Sequence, residues 1–161
     1  MNRTPPQAVG MMTRSLRSYM LLVYMALATP LAYAIVNPDA PDYVAEFERR
    51  AQPFEKQMDD HAGGGVYDIS QAGTAYAKFL DKELNQAYQL LLKKITDPQT
   101  REALRRSQRA WLAFYKAETD FIAINWVPDK FGTSCELSRQ AYSTSLTKKR
   151  IKVLLSYVSE Y

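Results

Sequence analysis

The sequence predicts an all-α protein: a small antiparallel three-helix bundle, preceded by a short-helix arm and a signal peptide. Three apolar periodicities lead to it. Between 98 and 126, Leu104, Trp111, Tyr115 and Ile122 recur at spacings of four and seven. Upstream, Ala77, Leu80, Leu84, Ala87 and Leu91 form a second stripe, and downstream Leu137, Ala141, Thr144, Thr147, Ile151, Leu154 and Val158 form a third. No strand alternation or repeat period interrupts this part of the chain.

Residues 1–34 read as a signal peptide. Arg3, Arg14 and Arg17 precede an apolar run over 19–28, no acid occurs before Asp39, and Ala32-Tyr33-Ala34 has the small-x-small form of a cleavage site, so cleavage is expected after Ala34. A retained anchor is the competing reading. The run is interrupted by Thr29-Pro30 and is short of the roughly 20 residues a membrane span needs.

Residues 35–66 form an acidic linker and arm. Asp42 is placed to cap a short helix with Val44, Phe47, Ala51, Phe54 and Met58 on one side, and Pro53 is expected to kink or stop it. Gly63, Gly64 and Gly65 then make a loop or hinge; no Gly-Lys-Ser/Thr follows, so it is not a phosphate loop. His61, the sole histidine, sits beside these glycines as an exposed bystander.

Residues 67–161 are the helical domain. Its first helix emerges from Ser70, flanked by Tyr88 and Ile95, with Lys78, Lys82, Gln86, Gln89 and Lys93 facing water. A connection of a residue or two around Asp97 makes the next helix its antiparallel neighbour. Asp97 followed by Pro98 marks that helix's start, because the carboxylate accepts from free N–H groups and proline at the first position wastes no donor. At 1.5 Å per residue it would be roughly 40 Å long. Beside its first apolar row lies a second, Ala110, Phe114, Ala117, Phe121 and Ile124, so two covering partners are expected and this helix should be the central member. Glu102, Arg105, Arg109, Lys116 and Asp120 should face water. A loop over 127–134 leads to a third helix from about Cys135 to Tyr157, with Leu146, Arg150, Val153 and Tyr157 beside its main row and Lys148, Lys149 and Lys152 opposite.

Gln108, Glu118 and Asn125 break the apolar rows of the middle helix. A buried, unpaired Glu118 would cost several kcal/mol. Arg150 on the antiparallel third helix is its expected ion-pair partner, with Glu83 competing for Arg150.

Charge follows the same division. The chain is +4 from 21 basic and 17 acidic residues; the leader holds three of the basic ones, which leaves 18 against 17, or +1. Residues 35–77 carry three basic and eight acidic side chains (−5), and 78–161 carry fifteen and nine (+6). Solvated helix faces or mutual attraction of the two parts explain this, with a docking surface as the sharper alternative. Cys135 is the single cysteine, so no intramolecular disulfide forms; it reads as a partly covered, inert thiol. One histidine and one cysteine supply no charge relay and no metal cluster, so no catalytic, metal or cofactor site is expected and the protein is read as non-enzymatic. Glu83 and Glu118 are the acids that glycoside cleavage could use; ion pairing is preferred for both, and core packing for Trp111 and Tyr115. Export and the lack of a reading motif argue against nucleic acid, and contact with a membrane is expected only through the leader.

Four short motifs add a resemblance: Asp81-Lys82-Glu83-Leu84-Asn85-Gln86-Ala87-Tyr88, Gln108-Arg109-Ala110-Trp111, Ala117-Glu118, and Leu146-Thr147-Lys148-Lys149-Arg150 with Leu154. In this order the chain resembles the lysozyme inhibitor LprI family over about residues 68–158. The resemblance implies an exported, mostly helical domain and, for some members, binding and inhibition of lysozyme. Its motif residues here are Glu83, Leu84, Asn85, Gln108, Trp111, Glu118, Thr147 and Arg150, expected to be structural. Where the family commonly carries cysteines this chain has Ala72, Thr119 and Tyr142, which implies packing in place of a disulfide framework.

The function expected is therefore that of a periplasmic or secreted binding protein of the cell envelope, with lysozyme or a related peptidoglycan-cleaving enzyme as partner. Lysozymes are basic, and the acids available to meet one are Asp39, Asp42, Glu46, Glu48, Asp59, Asp60 and Asp68. The alternative is a structural or scaffold protein binding an anionic envelope component or a partner protein through Arg101, Arg105, Arg106, Arg109, Lys148, Lys149 and Lys152.

Overall fold

A computed structural model describes residues 41–61, 65–132 and 134–161. The expected signal peptide and its cleavage after Ala34 lie outside the described residues, as does Asp39. Five helices make up the described chain: α1 (Tyr43–Asp60), α2 (Val66–Lys94), α3 (Pro98–Asn125), α4 (Pro128–Phe131) and α5 (Cys135–Val158). All are α-helical, and no strand occurs among the described residues. The all-α class holds, with five helices where three and a short arm were expected.

Both expected caps form. The Asp42 carboxylate accepts from the Ala45 N–H at 2.9 Å, and that of Asp97 from the N–H and hydroxyl of Thr100, each at 2.6 Å. These bonds, the hydroxyl's first, hold the Asp97 carboxyl below its usual value. Pro53 neither stops α1 nor ends it: the helix runs on to Asp60, since a proline removes one backbone bond while its neighbours keep theirs. The expected loop over 127–134 contains α4, a single turn begun by Pro128 and ended by Gly132 at φ +72, in the left-handed region where glycine is favoured.

The centre of the molecule is the α2–α5 pair. Leu80, Leu84, Ala87 and Leu91 of α2 meet Ile151, Leu154, Leu155 and Val158 of α5 in one buried cluster. Helix α1, expected as an arm preceding the bundle, closes that cluster. Phe47 and Ala51 are completely buried, and Phe54 stacks on Phe79 of α2 at 4.4 Å between centroids.

Electrostatics draw α1 onto the basic body. Lys148 reaches Glu55 and Lys152 reaches Glu48, each at 2.6 Å. Arg50 grips Glu83 with two bonds, at 3.0 and 2.7 Å. The Glu55–Lys148 and Glu48–Lys152 contacts express the mutual attraction of acidic front and basic body, whereas Arg50–Glu83 has the reverse polarity. Lys148 and Lys152, placed opposite the apolar row of the last helix, are both half-buried and both reach α1.

Glu55 accepts from Lys148 and from the Tyr76 hydroxyl (2.6 Å), which together hold its carboxyl below the usual range. Burial, then this carboxylate, pushes the Tyr76 phenol up. A carboxyl lowered by folding stabilises fully above its unfolded value, and that contribution is lost as pH falls through the lower folded one. Because Glu55 is more than a third exposed, the contribution should stay within about 1 kcal/mol. Urea unfolding of Glu55→Gln between pH 7 and pH 3 should therefore show a shallower acid loss than wild type.

Helix α3 is not the sandwiched central rod. It leans on α5 with its first row inward: Ile122 is buried, and Leu104, Trp111 and Tyr115 are half-buried. Its second row has no cover among the described residues, since Phe114, Phe121 and Ile124 are 50%, 58% and 78% exposed. Nor does the short connection lay α3 along α2. The backbone turns through extended residues at Ile95 and Asp97, and Trp111, Leu112 and Tyr115 of α3 face Ala77, Leu80 and Leu84 of α2 across an open space. The row expected to face water does so: Arg109 and Arg105 pair with Glu102, and Lys116 with Asp120.

Candidate binding groove

The space between α2, α3 and α5 is a groove of about 150 Å³. Ala77, Leu80 and Leu84 make its floor from α2, Trp111, Leu112 and Tyr115 its wall from α3, and Gln140, Ser143, Thr144 and Thr147 its polar wall from α5. Asp81, exposed, is the carboxylate on its edge. Trp111 and Tyr115, one helical turn apart, stack at 5.3 Å between centroids.

The wall is braced from behind. The Arg150 guanidinium lies over the Trp111 ring at 6.0 Å. It donates to Gln108 Oε1 at 3.1 Å and to Ser107 Oγ at 3.2 Å. Burial lowers its pKa, yet an arginine stays charged. The expected Arg150–Glu118 ion pair is therefore corrected: Arg150 is satisfied by neutral oxygens, and Glu118 accepts from the Tyr142 hydroxyl at 2.8 Å. That carboxylate holds the Tyr142 phenol above its usual value. Glu83 does not compete for Arg150 either, because α1 brings Arg50 to it.

The motif residues thus divide. Leu84, Trp111 and Thr147 line the groove, and Gln108 and Arg150 support it. Thr147 also donates to the Ser143 carbonyl at 3.1 Å, and Gln108 and Thr147 are buried. Glu83 faces α1, where it is buried against Arg50. Asn85 lies exposed and donates to the Asp81 carbonyl. Glu118 sits beyond the groove with Tyr142, whose ring meets Trp126 edge-on at 5.6 Å. Glu83 and Glu118, held by different partners, do not share a site.

Where the resemblance implied replaced cysteines, Ala72 is buried, Thr119 donates to its own helix at Tyr115, and Tyr142 ties α5 to α3. Cys135 is buried with its sulfur 3.7 Å from an Arg139 nitrogen, so it is fully covered where partial cover was expected. His61 ends α1 and is half-buried.

Many charges offered as docking candidates are engaged internally. Glu46, Glu48 and Asp60 pair with Arg50, Lys152 and Lys56, and Asp42 caps α1. On the basic side Arg105, Arg109, Lys148 and Lys152 have carboxylate partners, and Arg101 donates to the Ile95 carbonyl. Sequence reading missed Arg50 and Asp81. A signal for Arg50 was available, because it lies three residues after Phe47 and four before Phe54, near the apolar side of α1.

Among the described residues no helix is long and apolar enough to cross a membrane, and no cluster of His, Cys, Asp and Glu is placed to hold a metal. Fold and groove together define a small all-helical domain with an open recess between three of its helices. Residues 58–154 match the family described as lysozyme inhibitor LprI; this is more than half of the 161 residues, and the chain belongs to that family. No curated protein and no solved structure matches it.

Proposed function

We propose that the protein is an exported, non-enzymatic binding protein of the cell envelope, and that its target is a lysozyme or related peptidoglycan-cleaving enzyme. The observation that carries this reading, beside family membership, is the groove edged by the stacked Trp111 and Tyr115. Tryptophan, tyrosine and arginine dominate the energetics of protein interfaces, and here two of them border an open recess while Arg150 braces the first. A recess of about 150 Å³ is below the roughly 300–1,000 Å³ of small-molecule sites. It fits one side chain inserted by a protein partner. Asp81 at its edge and the hydroxyls of Ser143 and Thr144 suit a lysine or arginine, the residues a basic enzyme exposes. Trp111 contacts the target in this reading, Leu84 and Thr147 line the same recess, and Glu83, Gln108, Glu118 and Arg150 hold the helices in place.

The alternative, a scaffold role on an anionic component, draws support from Arg106 and Lys149, which are exposed. The groove favours the first reading.

Lysozyme clearance of a peptidoglycan suspension tests it. Added protein should slow clearance, and Tyr115→Ala or Asp81→Lys should weaken that inhibition about 30-fold, the effect of losing an interface residue worth 2 kcal/mol. Undiminished clearance at large molar excess would sink the proposal.

A further inference from the structure

We propose that the outward row of α3 is the interface for a second copy of this chain, packed antiparallel. Ala110, Phe114, Ala117, Phe121 and Ile124 alternate by four and three residues, the spacing of a coiled-coil seam. Each is exposed, and the seam lies away from the side that Ile122 and Gln108 bury against the bundle. The three large members leave on the order of 100 Å² each, from the area such side chains present. With the alanines the strip reaches about 400 Å², within the range of the largest apolar patch on a typical monomer. Charged flanks on both copies bring the contact toward the roughly 800 Å² per partner of a stable interface.

Size and charge select the occupant. An antiparallel pairing centred on position 112 sets Phe114 against Ala110 of the second copy and Phe121 against Ala103, so each ring meets a methyl instead of another ring. Ser107 then faces Ala117. On one flank of the seam the same register sets Arg106 opposite Asp120, twice by symmetry. Asp120 already receives Lys116 at Oδ2, and Oδ1 is offered to the incoming guanidinium. Arg106 has no ion-pair partner among the described residues. A two-fold pairing is self-complementary and closes, and it leaves the groove, on another side of α3, open on each copy. The proposal therefore does not depend on lysozyme binding.

Light scattering and sedimentation of the full chain test this. At concentrations on the order of 100 µM, above the micromolar constants that modest interfaces give, the native mass should be twice that found under denaturing conditions, and should halve on dilution. Phe121→Glu should remain single at every concentration with unchanged helicity and, at concentrations where the wild type is itself single, an unchanged unfolding midpoint, since Phe121 lies outside the core cluster. Arg106→Asp and Asp120→Arg should each weaken the dimer at least several-fold, and the double variant should restore it. A single mass for wild type at all concentrations, as when residues 1–40 cover the row, overturns the proposal. So does a dimer indifferent to Phe121→Glu, or charge variants whose effects simply add.

Discussion

Phe47→Ala should lower the free energy of unfolding by about 3–5 kcal/mol, the cost of removing a fully buried aromatic ring. Phe47 is 0% exposed although it sits on the helix that the acidic composition marks as an arm. Its ring lies parallel to that of Phe79 with centroids 6.3 Å apart, in the cluster where α1 meets the α2–α5 pair. Urea unfolding followed by far-UV circular dichroism measures this directly. A loosely attached arm would lose its own helicity and leave the main transition in place. An integral α1 predicts one cooperative transition, moved as a whole to lower urea.

Arg50→Ala should cost roughly 2–4 kcal/mol. Breaking a buried ion pair from one side destabilises by about 3–5 kcal/mol because a charge is left without compensation. Here the stranded group would be Glu83, whose side chain is 8% exposed, whereas that of Arg50 is 42% exposed. Water entering on the Arg50 side therefore shifts the expected loss somewhat below that range. The double variant Arg50→Met/Glu83→Met should recover most of it, since two apolar side chains of similar reach replace the pair without a buried charge. Equal instability of single and double variants would show that the stranded charge of Glu83 is not what destabilises Arg50→Ala.

Those two residues also mark where sequence reading reaches its limit. Periodicity gives the azimuth of each side chain about its own helix, and this was enough for the spans of α3 and α5, for α2 apart from its first turn, which starts at Val66 and not Ser70, for the caps at Asp42 and Asp97, and for the inward row Leu104, Trp111, Tyr115 and Ile122. It does not give which helix arrives at a face. Glu83 was legible as a carboxylate within the Leu80–Leu84–Ala87 stripe, but its partner came from α1, 33 residues upstream. Arg150 and Glu118 each had an inward azimuth, yet α3 and α5 pair in a register that brings Gln108 to the first and Tyr142 to the second. The groove was invisible for the same reason. Trp111 and Tyr115 are core-like by spacing, and only the lean of α3 toward α5 leaves one side of them open. Two apolar rows on one helix implied two partners, and among the described residues only one row is covered.

The Gln108–Arg150 bond fixes more than the wall behind Trp111. An interface of methyl and phenyl groups alone can slide by one helical turn and lose little, because apolar contacts are non-directional. A buried amide that must find a guanidinium cannot: displaced by one turn along α5, Gln108 Oε1 would meet Leu146 or Leu154 in place of Arg150. Together with the Tyr142–Glu118 bond, this contact favours one translational setting of the helix pair, and with it one width for the recess beside Trp111.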